Sequence, residues 1–213
     1  MSKEVHATLL LLRRGPLAVK WDSAALGQTD PPLNRGVAPQ ERAALDALAE
    51  YRPHRVLASD LKRARTTAER LAVKVGASFA VRRDLREQRF GSWQGRPWSE
   101  IVASEQKAAI TFLNDFCRST PPRGESLTAV ARRVNKAILA EVRRHQRKVV
   151  CYVGHAGPIR CLIAHALGLP LEQVQRMQLD PFGLSVIRYQ GDASVLALLN
   201  HPTGGDRPGG LPG

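Results

Sequence analysis

The stretch "LLLLRRGPLA", residues 9–18, places four leucines in a row with no polar residue between them, then two arginines, a glycine and a proline. An uninterrupted apolar run of this length is the pattern of a strand buried on both faces, and the glycine and proline mark the turn that ends it. In an open α/β sheet the site lies beyond the carboxyl ends of the strands. A strand that delivers guanidinium groups there delivers them to an anion.

The rest of the chain repeats the same alternation. "ATLLLL" (7–12), "RVLA" (55–58), "SFAV" (78–81), "VVCYV" (149–153), "LSVIRY" (184–189) and "VLALL" (195–199) read as strands, the earlier ones buried on both faces. Residues 39–51 read as a helix with Pro39 near its first position, and 60–75 as another capped by Ser59 or Asp60. Residues 97–117 look helical but less regular. Ser126 is the expected N-cap of a long helix whose stripe is Leu127, Val130, Val134, Ile138 and Val142, and "PIRCLIAHALG" gives a further helix from Pro158 to Gly168. The pattern predicts one α/β domain of three layers over residues 1–200, with a mostly parallel central sheet and helices on both faces. The Gly- and Pro-dense end "HPTGGDRPGGLPG" (201–213) reads as a flexible tail.

Composition narrows the function classes. The chain has 213 residues, 43% of them apolar, enough for a full core, and no run of 18 apolar residues that would span a membrane. The first residues lack the features of a signal peptide, so a cytoplasmic protein with no membrane partner is expected. Cys117, Cys151 and Cys161 are odd in number and lack CxxC spacing, which suggests reduced thiols and neither a disulfide framework nor a metal site. A net charge of +13 raises nucleic acid as a partner, but the basic pairs at 62–65, 82–83, 132–133 and 143–148 are dispersed, and the aromatic content of 5% does not interleave with them. Solvated helix faces explain most of these pairs better.

Polar residues stand at three strand ends: Arg13 and Arg14, then Ser59 to Arg63, then His155. In the expected sheet order they converge on one crevice, with the helix beginning near Pro158 adding its positive end. Five segments share a pattern in order: "LLRRGP" (11–16), "SDLKRARTTA" (59–68), "LREQRFGSWQG" (85–95), "PPRGES" (121–126) and "VGHAGPIR" (153–160). On these the chain resembles the histidine phosphatase superfamily, the phosphoglycerate mutase-like proteins. That family carries L-x-R-H-G, S-D-L-x-R-A-x-x-T-A, L-x-E-x-x-F-G-x-W-x-G, P-x-G-E-S and S-H-G-G-x-I-R. "LGQTDPPLNRG" (26–36) is further similar to the branch that includes alpha-ribazole phosphatase.

The resemblance implies phosphate-binding roles for Arg13, Arg63 and His155, and a proton donor in Glu87. It implies no cofactor and no metal. At Arg14 the chain departs from the family, whose histidine at that position attacks phosphorus and carries it. A guanidinium has five donors and no free lone pair, so it cannot take that catalytic role. His6 lies one strand length from the turn, and Pro16 and Leu17 replace the polar residues that usually follow.

The expected function is therefore a protein that binds inorganic phosphate or a small phosphorylated metabolite, with phosphohydrolase activity lost or much reduced. One alternative is an active phosphomonoesterase of the alpha-ribazole phosphatase type with another nucleophile, His155 being the candidate. Another is a basic protein that binds a phosphate ligand or nucleic acid. Residue by residue, Glu87 could instead pair with Arg86 or Arg89, and Arg63 could solvate its helix start. Trp93 and Trp98 read as pocket wall or core, His165 as packed, and His54 and His145 as exposed.

Overall fold

The computed structural model describes residues 7–203 apart from Arg35 and Asp192; His6 and residues 204–213, the greater part of the expected tail, lie outside the described residues. Six strands, β1 (Ala7–Arg13), β2 (Arg55–Ala58), β3 (Ser78–Val81), β4 (Val149–Gly154), β5 (Leu184–Gln190) and β6 (Ala193–His201), form one sheet in the order β3-β2-β4-β1-β5-β6. The β3–β2, β2–β4 and β4–β1 pairs are parallel, while β5 runs antiparallel to both β1 and β6. This is the expected mostly parallel sheet, closed by a hairpin.

The leucine run explains the three layers. Side chains alternate across a strand, and in β1 Leu9 and Leu11 pack with Val130, Val134 and Ile138 of α5 (Leu127–Arg144) and with Ile159 and Leu162 of α6 (Ala156–Leu167). Leu10 and Leu12 point the other way, into Ala44 and Leu48 of α1 (Ala38–Glu50) and Ala68 and Leu71 of α2 (Lys62–Val75). All four leucines are fully buried, each contributing about 1.5–3 kcal/mol of burial energy. No polar residue could stand in this run without losing its water to one helical layer or the other.

Several expectations are corrected. β3 is not buried on both faces: Ser78 and Val81 are exposed and Phe79 and Ala80 half-buried, because it is the edge strand. The helix expected from residue 60 starts at Lys62, and neither Ser59 nor Asp60 caps it. Its free N–H groups are instead satisfied by Asp30, whose carboxylate accepts from Lys62 N at 2.7 Å and Arg63 N at 3.3 Å. The last helix starts at Ala156 rather than Pro158, with His155 as its N-cap residue and Pro158 in the first turn, where no backbone donor is missed. Residues 97–117 split into α3 (Trp98–Ser104) and α4 (Gln106–Asn114) at Glu105, whose carboxylate is drawn to Trp93 Nε1 and Arg96. Ser126 caps α5 as expected, accepting from Ala129 N.

The strand β6 reaches His201, one residue into the stretch read as tail, and Thr203 Oγ1 donates to the Phe182 carbonyl. All three cysteines are buried free thiols, and burial pushes Cys161 up to about 12 and Cys117 up to about 11. Among the described residues no helix is long and apolar enough to cross a membrane.

Because Asp30 supplies both the cap of α2 and a carboxylate to Arg63, Asp30→Ala is expected to cost about 1–2 kcal/mol. In a chain of this length that lowers the thermal midpoint by about 2–8 °C. Thermal denaturation checks this, with Asp30→Asn, itself a good cap, recovering part of the loss.

Candidate functional site

The turn after β1 is fastened on both sides: Arg14 N donates to the Gly154 carbonyl at 2.8 Å, and Arg13 N to the Gly183 carbonyl at 3.2 Å. Gly15 is required here, since a Cβ on it would lie 2.4 Å from the Phe182 ring. The turn thus delivers Arg13 and Arg14 to the wall of a cavity of about 690 Å³ at the carboxyl end of the sheet, together with Glu87 and Arg160.

Arg13 donates Nη1 to the Leu179 carbonyl; burial lowers its pKa, and Glu87 opposes the shift. Arg14 is half-buried and donates Nη1 to the carbonyl of Gly15, its own neighbour, at 2.6 Å. Its pKa is lowered to about 10, first by burial and then by the charges of Arg13 and Arg63.

Arg63 and His155 lie behind the cavity wall, both 1% exposed. Arg63 gives Nη2 to the Gly27 carbonyl at 2.8 Å and Nη1 to the Thr29 carbonyl and Asp30, while its Nε is buried without a hydrogen-bond partner. His155 Nε2 shares a hydrogen bond with Ser59 Oγ at 2.7 Å, and its Nδ1 is also buried and unpartnered. Burial, reinforced by Arg63 and Arg14, holds the imidazole well below its ordinary pKa, so it is neutral.

Glu87 faces the cavity beside the start of α6. Gln88 N donates to its Oε1 at 3.0 Å and Gly157 N to its Oε2 at 3.4 Å. A Cβ on Gly157 would lie 2.4 Å from Glu87 Oε1, so that glycine admits the carboxylate. The alternative pairing with Arg86 or Arg89 is not seen: Arg86 forks onto both oxygens of Asp60 at 2.6 and 2.5 Å, and Arg89 donates to the Gly124 carbonyl.

Two residues escape sequence reasoning. Arg160 lines the cavity with Nε held by the Met177 carbonyl at 2.9 Å, and the only signal for it is its place at the end of "VGHAGPIR". Arg133, read in sequence as one of a solvated pair, turns inward. Its Nη1 donates to the Asp84 and Arg86 carbonyls, and its Nη2 to the Glu87 carbonyl and the Glu125 carboxylate. It therefore pins the loop that presents Glu87.

The other histidines are elsewhere. His165 is exposed rather than packed, because position 165 turns to the outer face of α6. His54 is exposed, whereas His145 is half-buried, 3.5 Å from Glu141 and with its ring 5.4 Å from that of His54. The tryptophans divide: Trp93 is core, 1% exposed, and Trp98 lines the cavity. Four guanidinium groups in and behind one cavity, faced by the carboxylates of Glu87, Asp22 and Asp30, give this end of the cavity the chemistry that suits a compact anion.

The model of the histidine phosphatase superfamily, branch 1, matches residues 9–202. A glucosyl-3-phosphoglycerate phosphatase of Mycolicibacterium vanbaalenii is 31% identical over 209 residues, covering 94% of this chain and 88% of that protein. The adenosylcobalamin/alpha-ribazole phosphatase of Escherichia coli is 27% identical over 194 residues, 90% of this chain and 95% of that protein. The solved structure of a mycobacterial glucosyl-3-phosphoglycerate phosphatase with inorganic phosphate superposes with a TM-score of 0.79 at 26% identity, over 92% of this chain and 98% of that one.

The neutral, buried His155 gives the fold an acid sensitivity of definite sign. Its folded pKa lies below the unfolded value of 6.5, so as pH falls below about 6.5 the unfolded chain binds a proton that the folded chain refuses. Stability is complete above that pH and declines below it. In phosphate-free buffer, the fall in thermal midpoint between about pH 7.5 and 5.5 should be shallower in His155→Gln than in the unaltered chain.

Proposed function

The chain belongs to branch 1 of the histidine phosphatase superfamily, and from that premise we propose that it holds inorganic phosphate or a phosphomonoester in the β1 cavity with little or no turnover. Arg13 and Arg14 meet the phosphoryl group from the cavity wall, Arg63 and His155 back the seat from behind that wall, and Glu87 keeps the place of the proton donor. The relatives' names supply the ester class, since both are phosphatases.

The observation that carries this reading is the guanidinium at residue 14 on the cavity wall. Covalent phosphoryl transfer at this position needs a nitrogen lone pair, and the Arg14 guanidinium, although burial lowers its pKa, stays charged at neutral pH and offers none. The charge that abolishes attack strengthens ground-state binding, because it adds a cation to a site already built from guanidinium groups. His155 is neutral and so has a lone pair, but its Nε2 is engaged by Ser59 and it stands behind the cavity wall. In-line attack from there is disfavoured.

The nucleic-acid reading is weakened by where the basic pairs go. Within those pairs Arg63, Arg65, Arg82 and Arg133 are engaged by Asp30, Glu69, Asp84 and Glu125 of the same chain. The three buried, unpaired thiols accord with a reducing, cytoplasmic setting.

The test is restoration. The unaltered chain should bind phosphate and vanadate, and hydrolyse p-nitrophenyl phosphate at a rate near background. Arg14→His should recover part of the family's activity and acquire acid-labile phosphate at residue 14. Recovery is partial because Pro16 fixes the turn. Glu87→Ala in that background should lower the rate again, most for poor leaving groups. Vigorous turnover by the unaltered chain that His155→Ala abolishes would make His155 the nucleophile and overturn the proposal.

A further inference from the structure

The anion seat accounts for one end of the cavity and leaves the rest unexplained. Of the five phenylalanines and three tryptophans in the chain, Trp21, Phe90, Trp98, Phe112 and Phe116 line this cavity. In a chain only 5% aromatic, that concentration needs a reason. The rings also have a geometry: Trp98 and Phe112 are nearly parallel, with centroids 6.0 Å apart and 14° between planes, and Phe90 meets Trp98 edge-on at 5.6 Å. Leu113 lines the cavity while remaining 53% exposed, which places an uncovered apolar side chain on its rim.

Polar side chains away from the arginines and Glu87 are few, namely Asp22, Gln88 and Gln175. Of these Gln88 is committed, donating its Nε2 to the Glu125 carbonyl. A sugar or glycerate body brings several hydroxyls, each of which costs free energy when buried without a partner. A ring or alkyl body brings none, and aromatic walls favour flat faces. A volume near 690 Å³ holds far more than a phosphate ion.

We propose that the ligand is a phosphomonoester whose body is aromatic or alkyl, seated on the wall formed by Trp21, Trp98, Phe112 and Leu113; this rests on the phosphate reading of the arginine end. The chain is thereby set apart from an enzyme built for a polyhydroxylated ester.

Titration calorimetry with inorganic phosphate, phenyl phosphate, 1-naphthyl phosphate, glycerol 3-phosphate and glucose 6-phosphate tests it. Affinity should rise from inorganic phosphate through phenyl to 1-naphthyl phosphate, the last binding at least about tenfold tighter than glucose 6-phosphate, with a negative heat-capacity change. Trp21→Ala and Leu113→Ser alter partly exposed wall residues and should narrow that gap by weakening 1-naphthyl phosphate more than glucose 6-phosphate. If inorganic phosphate binds but glucose 6-phosphate matches 1-naphthyl phosphate, the ligand class is overturned and the phosphate seat stands. If no probe binds, the seat falls and takes the ligand class with it. If 1-naphthyl phosphate binds and inorganic phosphate does not, the apolar wall is supported and supplies the larger part of the affinity.

Discussion

Like charges brought together away from water set the terms for this end of the molecule. Arg13, Arg14 and Arg63 each carry a pKa lowered chiefly by burial, and Arg14 is lowered further by the other two. The fold offsets part of this with carbonyl oxygens, those of Leu179, Gly15, Thr29 and Gly27, and with the carboxylates of Asp30 and Glu87. The compensation is uneven. Arg63 is gripped on several sides, whereas the Arg14 guanidinium donates to the carbonyl of its own neighbour. A dianion would complete what the protein leaves incomplete.

Much of this was legible in the sequence because the signals were local. The leucine run of β1 could be read as a doubly buried strand since each residue's face is fixed by alternation, and both faces met a helical layer. Ser126 capped its helix within three residues. The failures share a different cause, distance along the chain. α2 takes its cap from Asp30, more than thirty residues away, which no inspection of Ser59 or Asp60 could reveal. β3 has the composition of an interior strand and lost burial only through its place at the sheet edge.

The site followed the same rule. Arg13, Arg14, Arg63, Glu87 and His155 could be singled out because each ends a strand or sits in a recognisable segment, and the fold gathers them at one end of the sheet, Arg13, Arg14 and Glu87 on the cavity wall and Arg63 and His155 behind it. Arg133 and Arg160 were missed because an arginine on a helix looks solvated until the loop it faces is known. The aromatic wall was equally hidden: Trp21 follows β1, Phe90 follows β3, and Trp98, Phe112 and Phe116 belong to or adjoin α3 and α4. Their convergence is a property of tertiary structure: the strand ends supply the charged end of the cavity, and the connecting segments its apolar wall.

The central claim is that the Arg14 charge is costly to the empty fold and useful to the filled one. Thermal denaturation of the unaltered chain and of Arg14→Gln, each with and without millimolar phosphate, tests it directly. Without phosphate the variant should melt higher, by about 2–4 °C, the shift expected of about 1 kcal/mol in a chain of this length. With phosphate the unaltered chain should gain more, since a ligand that binds only the folded state stabilises according to its affinity. A variant that melts lower in phosphate-free buffer, or that gains as much from phosphate as the unaltered chain, would contradict the account.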